Sequence, residues 1–196
     1  MKDESIRLFD ILWETKNAGP SPYDNRRTEV YFGGCKKALS GNQCKNCFNP
    51  LLWDGSRCYP KDPEEVVNAI EMNKVPKFVT IVGGEPTDQL PGLIKFGRIL
   101  KEHNFHIMLF SWRSVEWFRK KLDNDDINNF NIIVTDPYVE EERIYNVNRD
   151  DGIHNVIGSG NQRIWLPKEN KIYYARDIRM MTLSKSKKLE VIKYNG

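Results

Sequence analysis

Along this chain, short continuous apolar runs alternate with stretches whose apolar residues recur at helical spacing. The run FVTIV at 78–82 is continuous and β-branched, which predicts a strand buried on both faces of a parallel sheet. FHIMLFS at 105–111 and IIVT at 132–135 read as further strands. Between these runs Leu90, Leu93, Ile94, Gly97 and Leu100 fall on one helical face, and Val115, Phe118 and Leu122 on another. Upstream, Asp62 can cap a helix that starts at Pro63 and carries Val66, Val67, Ile70 and Met72, with Glu65 placed to close a capping box. IRLFDILW at 6–13, EVYF at 29–32, and segments 163–166 and 172–175 read as further strands. The breaker-rich stretch at 16–27 is a loop. Alternating strands and helices predict an α/β fold with a parallel sheet, whose right-handed crossovers carry the loops after each strand to one edge.

Three distinctive sequences follow predicted strands and therefore meet at that edge, where α/β sheets bind ligands. They are a cysteine-rich loop after 30–32, GGEP at 83–86, and Ser111-Trp112. Trp112, Trp117 and Phe118 have helix-like spacing and read as packing residues, and His106 and His154 as structural or surface residues. The basic ending KSKKLEVIK reads as a solvated face or strand edge.

Composition narrows the classes. A net charge of +3, from 30 basic and 27 acidic residues, leaves no polyanion footprint, so nucleic acid is not the expected ligand. The hydrophobic share of 39% excludes a disordered chain, and 196 residues suit one core. No apolar run approaches the ~18 residues of a membrane span. MKDESIRLFD lacks the apolar stretch of a secretory leader, so no membrane association and a cytoplasmic location are expected.

Cys35, Cys44, Cys47 and Cys58 are the chain's four cysteines. Clustered thiols without a secretion signal point to a metal rather than to disulfides. Eight residues separate Cys35 from Cys44, and two separate Cys44 from Cys47. Three thiols are too few for closed structural zinc, and no histidine lies near them in sequence. They suit a [4Fe–4S] cluster with one iron open to a ligand. A zinc ribbon using all four cysteines is the alternative on spacing alone. In GGEP, the glycines would permit close backbone approach to a ligand, and Glu85 is either a solvated turn residue or an acceptor for a cationic amine.

The cysteine loop with Phe48-Asn49-Pro50 and Trp53, together with GGEP, resembles the radical S-adenosylmethionine enzymes. Within them the chain looks most like the activating enzymes of glycyl radical enzymes, closest to the anaerobic ribonucleotide reductase activators. GSGNQRI at 158–164 is similar to a GSSNQRI segment there, VTDPYV at 134–139 resembles a VDGPFV-type strand end, and LFSW at 109–112 sits where a YTG-like stretch is found. The likeness covers about residues 27–165. The chain departs from the family in three places: its first cysteine gap is longer than the usual three residues, only Ala18-Gly19-Pro20 is similar to the DGPG-like loop expected before the second strand, and Thr135-Asp136-Pro137 lacks the expected glycine.

The resemblance implies a partial (β/α) barrel with a parallel sheet, made of an N-terminal extension at 1–26, a radical core at 27–166 and a C-terminal extension at 167–196 packed on it. It implies that Cys35, Cys44 and Cys47 hold a [4Fe–4S] cluster. Gly83, Gly84 and Glu85 would line the methionyl amine of S-adenosylmethionine, and Pro86 would shape the turn. Asn46 and Phe48 would meet the adenosyl part, with Ser111 nearby. No protein acid or base is required. The implied partners are a glycyl radical enzyme, with anaerobic ribonucleotide reductase expected, and a one-electron donor such as flavodoxin or ferredoxin. The rivals are a small-molecule enzyme of the 7-carboxy-7-deazaguanine synthase type and a non-catalytic zinc-binding module.

Overall fold

The computed structural model describes residues 4–144 and 157–194. Strands β1 (Ile6–Thr15) and β2 (Arg27–Phe32) form an antiparallel pair. A short helix α1 (Lys36–Leu39) lies in the cysteine loop, which ends in β3 (Tyr59–Lys61). There follow α2 (Pro63–Met72), β4 (Phe78–Gly83), α3 (Leu90–Glu102), β5 (His106–Phe110), α4 (Val115–Lys121), α5 (Asn124–Ile127) and β6 (Ile132–Thr135). The chain closes with β7 (Arg163–Leu166), β8 (Lys171–Tyr174), β9 (Ile178–Leu183) and β10 (Leu189–Lys193).

One sheet has the order β3-β1-β2-β4-β5-β6-β7-β8. The parallel part is confined to β2, β4, β5 and β6, which are joined through the helices, whereas β1, β3, β7 and β8 are antiparallel to their neighbours. The fold is thus mixed α/β, and the sheet is open, with β3 and β8 at its edges rather than a closing barrel seam. β7 and β8 are joined by only four residues, too few for a crossover, so that pair is antiparallel.

Alternation along the strands divides the core. Ile107, Leu109 and Ile133 face α2, α3 and α4, where Val66, Val67, Ile70, Leu93, Phe96 and Phe118 are buried. Met108, Ile132, Val134 and Ile164 face the other way and pack with Ile178 and Met181 of the β9–β10 pair. Each such fully buried side chain contributes roughly 1.5–3 kcal/mol of transfer free energy. The LEVIK part of the basic ending is therefore the second strand of a hairpin, and β9 is a strand that the sequence pattern does not announce. Asp62 caps α2 by accepting from the Glu64 N–H at 2.8 Å, not through a box closed by Glu65. No helix among the described residues is long and apolar enough to cross a membrane.

Candidate cluster site

Each of the four parallel strands ends at the same edge, and each following segment supplies residues to one cavity of about 160 Å³. Cys35 comes after β2, Gly84 and Glu85 after β4, Ser111 and Trp112 after β5, and Asp136 and Tyr138 after β6. Cys44, Cys47, Phe48, Asn49 and Trp53 close it from the cysteine loop, and Gln162 from the segment before β7.

The segment from Gly83 to Gln89 grips the start of the cysteine loop. Gly84 N–H donates to the Phe32 carbonyl at 2.8 Å, and Glu85 N–H to the Gly34 carbonyl at 2.7 Å. Gln89 Nε2 donates to the Gly33 carbonyl at 2.7 Å, and Asp88 Oδ2 accepts from the Lys36 N–H at 2.6 Å. On the other side, Gly34 N–H donates to the Leu52 carbonyl and Cys35 N–H to the Trp53 carbonyl, at 2.7 and 2.8 Å. The glycines make this possible. A Cβ on Gly84 would stand 2.3 Å from the Gly34 carbonyl oxygen, and one on Gly83, at φ +128°, 2.0 Å from that of Phe32. Their close backbone approach is to the end of β2 and the start of the cysteine loop, where the sequence pattern alone suggests a ligand.

Glu85 is buried, 1% exposed, which removes the solvated-turn reading. Its Oε1 accepts from the Thr87 N–H at 3.1 Å, from Thr87 Oγ1 and from Ser111 Oγ at 2.7 Å, and its Oε2 accepts from the Trp112 N–H at 3.0 Å. Burial raises its pKa, and these donors pull the other way. Trp112 is not simple helix packing. It lines the cavity, Arg113 stacks over its ring at 3.9 Å, and its buried indole N–H has no partner among the described residues. Arg113 is held in turn by Asp88 at 3.1 Å.

The GSGNQR segment folds onto the loop after β6. Gln162 Oε1 accepts from the Gly158 and Ser159 N–H groups, each at 3.1 Å, and Asn161 Nδ2 donates to the Pro137 carbonyl at 2.9 Å. Arg163 bridges Asp136 and Glu116 at 2.7 Å each, which drops the Glu116 carboxyl to about 2. Phe48 and Tyr138 meet edge to face, 5.1 Å apart, at the rim.

Of the residues singled out from sequence, Cys35, Cys44, Cys47, Phe48, Gly83, Gly84, Glu85 and Ser111 come together around the cavity. Asn46 and Pro86 are not part of its lining: Asn46, at φ +53°, hydrogen-bonds Glu140, and Pro86 is buried in the turn. Cys58 also lies elsewhere, with its Sγ against Gly33, where a Cβ would stand 1.9 Å away. Burial pushes the Cys35 and Cys58 thiols up. Among the described residues no three His, Cys, Asp or Glu side chains form a site for a single metal ion. Ala18-Gly19-Pro20 sits at the opposite end of the sheet, where Arg27 Nη1 donates to the Pro20 carbonyl at 2.9 Å. His106 is buried there, and His154 lies outside the described residues. Lys37, Asp88 and Gln89 carry no motif in the sequence; only the Asp-Gln pair just beyond GGEP, with its capacity for backbone bonds, offers a signal.

A protein-family model described as a 4Fe–4S single cluster domain matches residues 25–165. The chain belongs to that family. No curated protein matches it. The donor set of this single-cluster domain suits its group. Three thiols share a cavity, the fourth cysteine stands apart, and a buried carboxylate and an unpartnered indole N–H belong to the same wall. Thiolates are the ligands such clusters take, and a site with three leaves one iron open.

Proposed function

We propose that the protein is a radical S-adenosylmethionine enzyme in which Cys35, Cys44 and Cys47 hold the cluster, and that it activates a glycyl radical enzyme, with anaerobic ribonucleotide reductase as the expected partner. The observation that carries the reading is the meeting of those three thiols with buried Glu85 in one cavity. Membership of a family found in radical S-adenosylmethionine-related proteins supports it. When bound, the cluster supplies one electron and an open coordination position for the amino-acid end of the sulfonium substrate.

The chain's own residues do the rest. Among the described residues Glu85 Oε2 has a single donor, the Trp112 N–H, and so retains acceptor capacity for an ammonium group. Ser111 and Thr87 fix the carboxylate through Oε1, so it does not have to be ordered when substrate binds. The unpartnered Trp112 N–H offers a donor. Phe48 and Tyr138 narrow the rim and limit water. A flavodoxin- or ferredoxin-type protein in the cytoplasm would deliver the electron.

Protein reconstituted anaerobically with iron and sulfide, then reduced, is expected to release 5′-deoxyadenosine and methionine from S-adenosylmethionine. A full, reducible cluster with no cleavage would overturn the enzyme reading. Label traced to a small molecule, with no radical signal on any protein, would move the chain to the deazaguanine-synthase type.

A further inference from the structure

Two nitrogen donors reach the proposed cluster sulfurs from outside the ligand set. Trp53 Nε1 donates to Cys47 Sγ at 3.4 Å, and Lys37 Nζ to Cys44 Sγ at 3.7 Å. Both residues are built into the loop. The Trp53 carbonyl accepts from the Cys35 N–H, so one residue holds the first and the third cysteine. Lys37 Nζ also donates to the Asn42 carbonyl, and the Asn42 N–H returns to the Lys37 carbonyl at 3.1 Å. The eight residues between Cys35 and Cys44 thus close back on Lys37. Gly41, at φ +80° with open space around it, makes the turn. Neighbouring Lys45 is paired with Glu141 at 2.8 Å, whereas no carboxylate pairs with Lys37 among the described residues.

We propose that Lys37 and Trp53 set the reduction potential of the cluster, and that the long gap between Cys35 and Cys44 serves to place Lys37 on the Cys44 sulfur. Reduction adds one electron and no proton, so the reduced cluster is more negative by one charge. Donors on ligating sulfurs bind that state more tightly than the oxidised one and raise the potential, an ammonium more than a neutral indole. The cluster then accepts an electron from a milder donor. Both are positioning residues, acting through the sulfurs. The inference rests on the three-thiol ligand set of the proposed function.

The test uses the full chain, reconstituted anaerobically, with iron and sulfide quantified. The potential is titrated with dithionite and mediators and read from the reduced cluster's electron paramagnetic resonance signal, without S-adenosylmethionine. Lys37→Met keeps an apolar stem and removes the charge, Lys37→Arg keeps the charge, and Trp53→Phe removes the N–H and keeps an aromatic ring. All three are expected to hold iron. At the wild-type midpoint, the reduced-to-oxidised ratio of Lys37→Met should fall about tenfold, or about 59 mV for a one-electron couple. Trp53→Phe should move the same way by less, and Lys37→Arg should stay near wild type. Iron-loaded Lys37→Met and Trp53→Phe proteins that titrate at the wild-type potential would overturn the inference alone. So would a folded Lys37→Met protein without iron, which would make Lys37 an assembly residue. Wild-type protein that takes up no cluster would overturn the ligand set and this inference together.

Discussion

Among the described residues Glu85 takes four donors on its two oxygens, so its first task is to join the turn after β4 to the turn after β5. Glu85→Ala would strand the Thr87 and Trp112 N–H groups and the two hydroxyls, at about 1–3 kcal/mol for each buried group left unmet. A lower Tm should therefore accompany any loss of S-adenosylmethionine affinity, and calorimetry of both separates the two roles. An unchanged Tm would show that the donors find other partners. The cysteines divide just as sharply. Cys35→Ala, Cys44→Ala and Cys47→Ala are each expected to abolish the cluster absorbance and iron content, and Cys58→Ala to retain both. Loss of iron from Cys58→Ala with retention in Cys35→Ala would reverse the assignment. The thiol of Cys58 packs against Gly33, so this variant should pay only in stability.

Among elements, the decisive contact lies between the segment after β4 and the segment after β2. Gly84→Ala would drive a methyl to 2.3 Å from the Gly34 carbonyl oxygen. Overpacking of this kind costs about 1–3 kcal/mol, and at roughly 2–4 °C per kcal/mol for a chain of this size Tm should drop by at least ~2 °C. Thermal melts of the two proteins check it, and an equal Tm would mean that the segments part without cost. The sequence made β4 and β6 the most readable of the parallel strands, because short, continuous β-branched runs suit a strand buried on both faces. It also showed that their loops share an edge. It did not show that the glycines face protein backbone, since a Gly-Gly pair has the same letters whether a ligand or a carbonyl lies opposite. The hairpin of β9 and β10 was hard to read for a related reason: only Ile178, Met181 and Leu183 of β9 are buried, too few to set a period. Lys37 and Trp53 were invisible as sulfur donors because that role depends on how the loop closes.

At the scale of the whole molecule, the end of the sheet opposite the cavity is held by a buried cation. Arg27 donates to Thr80 Oγ1 and to the Val79, His106 and Pro20 carbonyls, and lies 3.3 Å from His106 Nδ1, with burial pulling its pKa down to about 9. Burial first, and the Arg27 charge second, hold His106 well below its ordinary value. Below about pH 6.5 the unfolded chain takes up a proton that the folded chain refuses. Stability from this site is present above that value and is lost as pH falls. Tm should therefore decline from pH 7 to pH 5, and His106→Gln, which can still accept from Arg27, should flatten the slope. Identical slopes for both proteins would rule His106 out as the cause. At the cavity end, the clasp on the cysteine loop governs where the chain tolerates insertion. Four of its bonds fall on Phe32, Gly33, Gly34 and Lys36, in step with Gly84, Gln89, Glu85 and Asp88. One residue added among them would put every later partner out of phase. Beyond Lys36 nothing in the clasp counts residues, and enlarging a loop costs only about 0.6 kcal/mol per doubling. A residue added after the first cysteine thus leaves this clasp in phase and disturbs the Lys37–Asn42 closure instead.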